Sequence, residues 1–265
     1  MPKKTNYSNN PLRIGVDGTK LLFQKAPMVA IVLAVLSAFG AGGNFSDPSA
    51  KPDNAAIPAD TALDPTLLTI LVIVVAVLLF GLILIGSFVA GIFAYTSVEV
   101  AKGREVTFRQ AVKAISKRFW SFVGLQLLTI GKVLLWALLF VIPGIVMAFR
   151  YSLANLSFFD DEKKLTGSAA IKDSLELTKG AWVTTFASQT ILNIVTIGSI
   201  SLIVDTGSKA MLYRQFSELQ ETGGQKPKPH TLSWVTLGLV LLVTAVAVSL
   251  LGFALVNYGL STIEG

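Results

Sequence analysis

The sequence predicts an all-α protein, a polytopic bundle of integral membrane helices accompanied by interfacial amphipathic helices. Two long runs without a charged residue support this prediction, 31 positions at 67–97 and 23 positions at 235–257. About 20 apolar residues are enough to cross the ~30 Å hydrocarbon core of a bilayer. Only 14% of the 265 residues are charged, compared with roughly 25% in soluble domains. We expect about six or seven spans, or about five if the Pro143-Gly144 pair is only a kink.

Changes in composition divide the chain into five parts. These are a cytoplasmic N-terminal segment, a membrane domain, a flexible linker, an additional C-terminal transmembrane helix and a short tail, at residues 1–26, 27–219, 220–233, 234–257 and 258–265. The basic N-terminus followed by an apolar stretch also suggests a signal peptide. The region before that stretch is unusually long for a signal peptide, so we expect residues 27–43 to be retained as the first span.

The second predicted span, residues 66–96, is longer than a bilayer requires, so we expect it to tilt or to project. Two pairs of small residues lie four positions apart near its end. Small side chains allow the backbones of neighbouring membrane helices to approach closely. We therefore predict a helix-packing face there, formed by Gly86, Ser87, Ala90 and Gly91.

Residues 107–120 have the pattern of an amphipathic helix in the lipid headgroup region. An apolar stripe and a cationic stripe follow helical spacing, the first with Phe108, Val112, Ile115 and Phe119 and the second with Arg109, Lys113 and Lys117. Thr107 and Gln110 have the spacing of a capping box, which would start the helix. A short soluble helix packed on other loops is the alternative. A related pattern at 166–182 also precedes an apolar stretch.

A Pro-Gly pair interrupts the apolar run at 138–153, so the run is either one kinked span or two helices joined by a turn at Pro143-Gly144. Cytoplasmic loops next to spans collect Lys and Arg. With a cytoplasmic N-terminus and an outer turn at Pro143-Gly144, 19 cations lie inside and one outside. A single kinked span would move four cations outside. This distribution favours the turn, in a bacterial cytoplasmic membrane, with the C-terminus outside.

The segment VIPGIVMAFRYSLANLSFFDDEKKLTGSAAIKDSLELTKGAW, residues 141–182, resembles the signature region of uncharacterised bacterial membrane proteins of the YciC-like group. These proteins are similar to the membrane domain of some glycerophosphodiester phosphodiesterases. The likeness covers roughly residues 10–219 and includes the closing LYRQF at 212–216. It implies a helical membrane unit of six spans, and it supplies neither an activity nor catalytic residues.

The chain departs from that family pattern in two places. Residues 181–219 are barely long enough for two thin spans, so a re-entrant hairpin is an alternative, provided its irregular backbone is shielded from lipid. Residues 220–265 add the linker and one more span, which suggests a role specific to a membrane protein partner.

Three charged residues fall where lipid or the bundle interior is expected: Lys132, Arg150 and Asp205. Ionisable groups at membrane depth are costly and are candidates for function. Asp205 could pair with either cation, and Arg150 with Tyr151 could hold a lipid phosphate through the planar guanidinium. These four residues form the predicted intramembrane polar or lipid-headgroup site. The structural alternatives are that Lys132 extends to the interface and that Asp205 lies on a surface loop.

The sequence lacks the residue patterns of common enzymes and of cofactor sites. It contains no cysteine, and its single histidine, His230, falls in the linker, where we expect a solvated side chain. We also expect the acidic run Asp160-Asp161-Glu162 to be solvated, and Gln189 and Asn193 to form interhelical hydrogen bonds. We therefore predict no cofactor, no metal and no catalytic residue. The net charge of +6 reflects cations flanking spans, so no nucleic acid partner is expected.

These observations predict a non-catalytic multi-pass membrane protein, a scaffold or a subunit of a complex. Its partners would be the bilayer, anionic lipids and a membrane protein contacted through residues 220–265. The alternative is a lipid- or amphiphile-binding or transport protein that uses the predicted polar site. A membrane enzyme is the third alternative, and it lacks reactive groups.

Overall fold

The computed structural model describes residues 7–42, 65–195 and 201–261. The regular structure in these ranges consists of α-helices, labelled here in chain order: α1 Pro11–Lys25, α2 Pro27–Gly42, α3 Pro65–Ala101, α4 Phe108–Leu139, α5 Val141–Arg150, α6 Ala154–Phe159, α7 Gly167–Leu177, α8 Trp182–Val195, α9 Ser201–Thr222 and α10 Thr231–Ser261.

Four stretches in the described ranges are long and apolar enough to cross a membrane: Thr66–Ala101, Phe108–Leu139, Ile142–Phe159 and Thr231–Ala254. The prediction of an all-helical fold with helices long and apolar enough to span a membrane is therefore confirmed, whereas the count of about six or seven spans is not. Pro27–Ser37 is apolar but shorter. The described residues between 181 and 219 add no further candidate, because α8 has only 14 residues and α9 contains several charged residues.

One end of the molecule is a compact helical body, which we define as α1, α6 to α9, residues 87–101 of α3 and residues 108–126 of α4. Its core is aromatic and aliphatic, and Phe122, Phe158 and Phe216 are its largest fully buried side chains. The ring centroids of Phe122 and Phe158 are 5.7 Å apart. Because these side chains come from α4, α6 and α9, burial of their apolar surface holds distant parts of the chain together.

Helix α1 lies inside this body, although the sequence suggested a separate N-terminal segment. Its residues Ile14 and Leu22 are fully buried, and its backbone crosses that of α9 at Gly18 and Gly207. A Cβ atom added to Gly207 would lie 2.6 Å from the carbonyl carbon of Gly18 and 2.7 Å from the nitrogen of Thr19. Only glycine leaves room for two backbones this close.

Helix α4 begins as predicted and bends where the amphipathic segment meets the span. The capping box is confirmed, since the Thr107 side chain accepts from the Gln110 N–H and the Gln110 side chain accepts from the Thr107 N–H. The cations Arg109, Lys113 and Lys117 are exposed. Arg118 has non-helical backbone angles, so the exposed basic helix and the apolar span that follows have different axes.

The chain reverses direction at Phe140, three residues before the predicted Pro-Gly turn. Phe140 is extended and separates α4 from α5. Pro143 lies in the first turn of α5, where a missing N–H costs no helical hydrogen bond. Gly144 packs against α4, and a Cβ atom there would lie 2.7 Å from the Cα of Ala137. The returning chain reaches Phe158 beside the ring of Phe122, so α4 and the α5–α6 segment run antiparallel.

Two long helices project from the helical body. The side chains of residues 66–80 in α3 and 241–254 in α10 are exposed on every face. They are predominantly apolar, so these surfaces are suited to hydrocarbon rather than to water.

The four residues of the predicted helix-packing face do not share the same surroundings. Gly91 is packed, because a Cβ atom there would lie 3.2 Å from Ile115 side-chain carbons. Ser87 is buried and donates to the Oε1 of Gln126 at 3.3 Å. Gly86 is open, with nothing within 4 Å of an added Cβ, and Ala90 lines a partly enclosed cavity.

Candidate functional site

The helical body contains two groups of polar side chains, and the first is centred on Asp160. Lys102 Nζ donates to Oδ1 of Asp160 at 2.7 Å, and the Tyr213 hydroxyl donates to Oδ2 at 2.7 Å. The N–H of Glu162 donates to Oδ1 at 3.0 Å. Asp160 is only 4% exposed, so the expectation of a solvated acidic run is wrong at this position. We call Lys102, Asp160, Glu162 and Tyr213 the Asp160 cluster.

Contacts within the Asp160 cluster shift the pKa values of Lys102, Asp160 and Tyr213. Burial disfavours an ionised Asp160, but hydrogen bonds from Lys102, Tyr213 and the Glu162 N–H outweigh burial and hold the pKa of this carboxyl below its usual range. Burial, together with the hydrogen bond to Asp160, raises the pKa of Tyr213. Burial opposes the charge on Lys102, yet its carboxylate partners raise its pKa. The cluster is therefore an ionic tie between α3, α6 and α9.

A second tie connects the end of the α4–α6 hairpin to the bend in α4. The Arg118 guanidinium donates to the carbonyl oxygens of Phe158 at 2.9 Å and Leu165 at 3.0 Å. It also lies 4.1 Å from the centroid of the Phe158 ring. A planar guanidinium can satisfy two carbonyls and stack on a ring at once. Because both carbonyls lie near the C-terminal end of α6, Arg118 stabilises the hairpin rather than offering a binding surface.

The second polar group surrounds Asp205 on α9. Its Oδ2 accepts from Lys209 Nζ at a separation of 2.6 Å, an i,i+4 pair on one helix. Asp205 lines both a partly enclosed cavity of about 80 Å³ and a more open groove of about 450 Å³. We call the larger space the Asp205 groove, and its lining residues are Phe149, Gln189, Thr190, Asn193, Ile194, Ser201, Leu202 and Asp205.

Polar atoms on α8 face the same region. Gln189 Nε2 donates to the Ser152 hydroxyl at 3.4 Å, and Asn193 Nδ2 donates to the carbonyl of Gln189 at 2.6 Å. Among the described residues nothing donates to Asn193 Oδ1, although that atom is buried. An acceptor buried without a donor costs free energy. The groove therefore combines a carboxylate, an amide whose buried oxygen lacks a donor among the described residues, and apolar walls.

The structure does not bring the four predicted site residues together. The Arg150 guanidinium donates to the carbonyl of Leu175 at 3.4 Å, near the end of α7. Tyr151 is buried in the core, and Lys132 is half-buried on α4. Neither proposed partner of Asp205 is its partner here, because Lys209 lies one helical turn away on the same face. Only Asp205 remains at a candidate site.

The linker and its histidine are also placed differently from the sequence expectation. His230 Nδ1 accepts from the N–H of Leu232 at 3.1 Å, so it caps the start of α10. Lys226 Nζ donates to the carbonyl of Glu176 at 2.7 Å, and burial lowers the pKa of this lysine. Gln189 does form the expected hydrogen bond between segments, whereas Asn193 bonds within α8.

No group of three side chains suited to a metal occurs in the described ranges 7–42, 65–195 and 201–261. The i,i+4 spacing of Asp205 and Lys209 is visible in the sequence and would have identified that pair. The Asp160–Tyr213 contact joins positions 53 residues apart, and no local pattern signals it.

Comparison of the chain with known protein families, with curated proteins and with solved structures finds no match. The resemblance to YciC-like membrane proteins therefore stays a prediction.

Proposed function

We propose that the protein is a non-catalytic multi-pass membrane protein of the bacterial cytoplasmic membrane, a scaffold or a subunit of a complex. Helix α10 would be its docking element for a partner that also spans the membrane. The observation that supports this most directly is that α10 is exposed on all sides along much of its length. Its buried residues Ser233 and Thr236 lie in the first two turns, whereas residues 241–254 are exposed on every face.

The attachment of α10 supports a fixed rather than a tethered docking helix. Lys226 bonds to carbonyls at the end of α7, and the Asn9 side chain donates to the carbonyl of Lys228 at 3.0 Å. His230 caps the first turn. A helix held at its base loses less entropy on binding a second helix than a freely moving one would.

The distribution of polar residues favours one membrane orientation. The Asp160 cluster joins Lys102, just before the exposed start of α4, to Tyr213 on α9, the helix that leads into the linker. We place this end of the helical body in the cytoplasm because cations collect there. The crossings would be α2, α3, α4, α5–α6 and α10, with α8–α9 as a re-entrant hairpin. The N-terminus would then be cytoplasmic and the C-terminus outside.

The docking role is tested by changing the α10 surface without removing the span. Residues 239–254 are replaced by an alternating Leu-Ala helix of equal length, and the gently extracted complex is weighed by native mass spectrometry. We expect the intact chain to carry a stoichiometric membrane-spanning partner and the replacement to lose it. A partner retained on the generic helix, or an intact chain without any partner, would contradict the proposal.

The orientation is tested with single cysteines, which is direct because the chain has none. Asp161 and Gln225 are exposed and lie on the proposed cytoplasmic end. A membrane-impermeant maleimide should label cysteines at these positions only after the cells are opened. Labelling of either position on intact cells would reverse the assignment.

A further inference from the structure

The Asp205 groove has both polar and apolar walls, and one of its lining residues belongs to a candidate membrane span. Phe149 belongs to the candidate span Ile142–Phe159, and it lines the groove together with Ile194 and Leu202. Gln189, Asn193 and Asp205 line the same space. Its volume of about 450 Å³ lies within the roughly 300–1,000 Å³ typical of small-molecule sites. A space of this size and composition is suited to the head group and first chain carbons of an amphiphile.

The charge balance at Asp205 selects the class of head group. The Asp205–Lys209 pair is neutral as a whole, and an uncompensated charge at membrane depth is costly. A head group with a net charge would leave an uncompensated charge in the groove, whereas a zwitterionic head group would not. Asp205 lines the groove and can receive the cation of a zwitterion there, whereas Lys209 lines the neighbouring smaller cavity and balances the Asp205 charge from that side.

The buried oxygen of Asn193 narrows the class of head group further. Asn193 Oδ1 is buried and lacks a donor among the described residues, and the Asp205 carboxylate lines the same groove. A primary ammonium has three N–H donors and can serve both oxygens. A quaternary ammonium has no N–H donor and can serve neither oxygen.

We propose that the Asp205 groove binds a zwitterionic phospholipid with a primary ammonium head group, of the phosphatidylethanolamine class. The ammonium would lie between the Asp205 carboxylate and Asn193 Oδ1. Phe149, Ile194 and Leu202 would contact the upper acyl carbons. This site is distinct from the α10 surface, so either proposal can fail without the other.

The test uses the full chain in nanodiscs that contain equal amounts of phosphatidylethanolamine, phosphatidylcholine and phosphatidylglycerol with identical acyl chains. After release into detergent, bound lipid is counted by native mass spectrometry. We expect one ethanolamine lipid to be retained per chain, at least about tenfold over each of the others, since the difference is a charge-assisted hydrogen bond. Equal retention of the three classes, or no retained lipid, would overturn the proposal.

Two variants and a matched control locate the site. Asp205→Asn and Asn193→Ala should each reduce retention of the ethanolamine lipid about tenfold or more. Asn193→Ala leaves the Asp205–Lys209 pair intact, so it decides the question if Asp205→Asn fails to fold. Asp17→Asn breaks an equivalent i,i+4 pair with Arg13 on α1 and should retain the lipid. Retention unchanged in Asn193→Ala would remove the site from the groove.

A competition experiment distinguishes the lipid from its soluble head group. Excess glycerophosphoethanolamine is added before the lipid is counted. We expect the lipid to remain, because the apolar wall binds only the acylated molecule. Displacement would show that the head group alone is the ligand and would overturn the assignment to a membrane lipid.

Discussion

The crossing of α1 and α9 at Gly18 and Gly207 makes the sharpest stability prediction. Replacing Gly207 by Ala puts a Cβ atom 2.6 Å from the carbonyl carbon of Gly18 and 2.7 Å from the nitrogen of Thr19. Favourable carbon contacts lie near 3.5–4.0 Å, so the two helices must separate by roughly 1 Å. The atoms in the way are backbone, and no side-chain rotation can relieve the contact.

The magnitude follows from the packing around the crossing. Overpacking a core usually costs about 1–3 kcal/mol, and the rigid backbone contact places Gly207→Ala at the upper end. Separating α1 from α9 also loosens the burial of Ile14 and Leu22. At about 3 kcal/mol, the midpoint of thermal unfolding should fall by roughly 6–12 °C.

The assay is thermal unfolding of the purified protein in one detergent, followed by circular dichroism. Gly131→Ala is the matched control, since Gly131 lies within α4 and nothing lies within 4 Å of its added Cβ. The control should leave the midpoint unchanged or raise it, because Ala favours helix by about 1 kcal/mol over Gly.

A double variant tests whether α1 and α9 cross at these two glycines. Once one Cβ has separated the helices, a second at Gly18 meets less resistance, so Gly18→Ala with Gly207→Ala should cost clearly less than the sum of the single changes. Equal midpoints for Gly207→Ala and Gly131→Ala, or additive losses in the double variant, would show that the helices do not cross at these glycines.

Three further predictions concern the polar ties. Asp160→Asn should lower stability by about 2–4 kcal/mol, measured as a lower unfolding midpoint, while the exposed Asp161→Asn should change it by less than about 0.5 kcal/mol. Because the pKa of Asp160 is lowered in the folded protein, its contribution to stability should be present above about pH 4 and decline as the pH falls further. When the unfolding midpoint is measured as a function of pH, Asp160→Asn should lack this loss of stability at low pH. Arg118→Met should cost about 2–3 kcal/mol through two lost hydrogen bonds and a cation–π contact, and Arg118→Lys should restore only part of it, so full rescue by Lys would contradict the bidentate role. Thr107→Ala should cost about 1 kcal/mol through the lost cap, and an unchanged midpoint would argue against the capping box.

Local features were predictable because their causes lie within a few residues of each other. The uncharged run at 67–97 is long enough to be a span wherever the rest of the chain lies. The capping box at Thr107 and Gln110 depends only on their three-residue separation. The basic face of the helix that follows also depends on spacing alone, and its cations are exposed as that spacing indicates.

The candidate site was only partly predictable. The sequence selected Asp205 as a candidate, and the structure places it beside a groove, but its partner was sought among distant cations, whereas Lys209 lies one turn away. Asp160 looked like part of a solvated run, and its burial depends on Lys102 and Tyr213 arriving from α3 and α9. The reversal near Pro143 was misplaced by three residues, because the proline fits the first turn of α5 and does not need to form the turn itself.

The sequence by itself determined that the chain is helical and has runs long and apolar enough to span a membrane, since hydrophobic length and periodicity are properties of the chain alone. Only the tertiary structure decided that α1 belongs to the core, that two glycines form a helix crossing, and that Asp205 borders a groove. The physical reason is that close approach and burial depend on pairs of residues far apart in the chain. A glycine, an aspartate or a tyrosine looks the same in the sequence whether its partner is water, lipid or another helix.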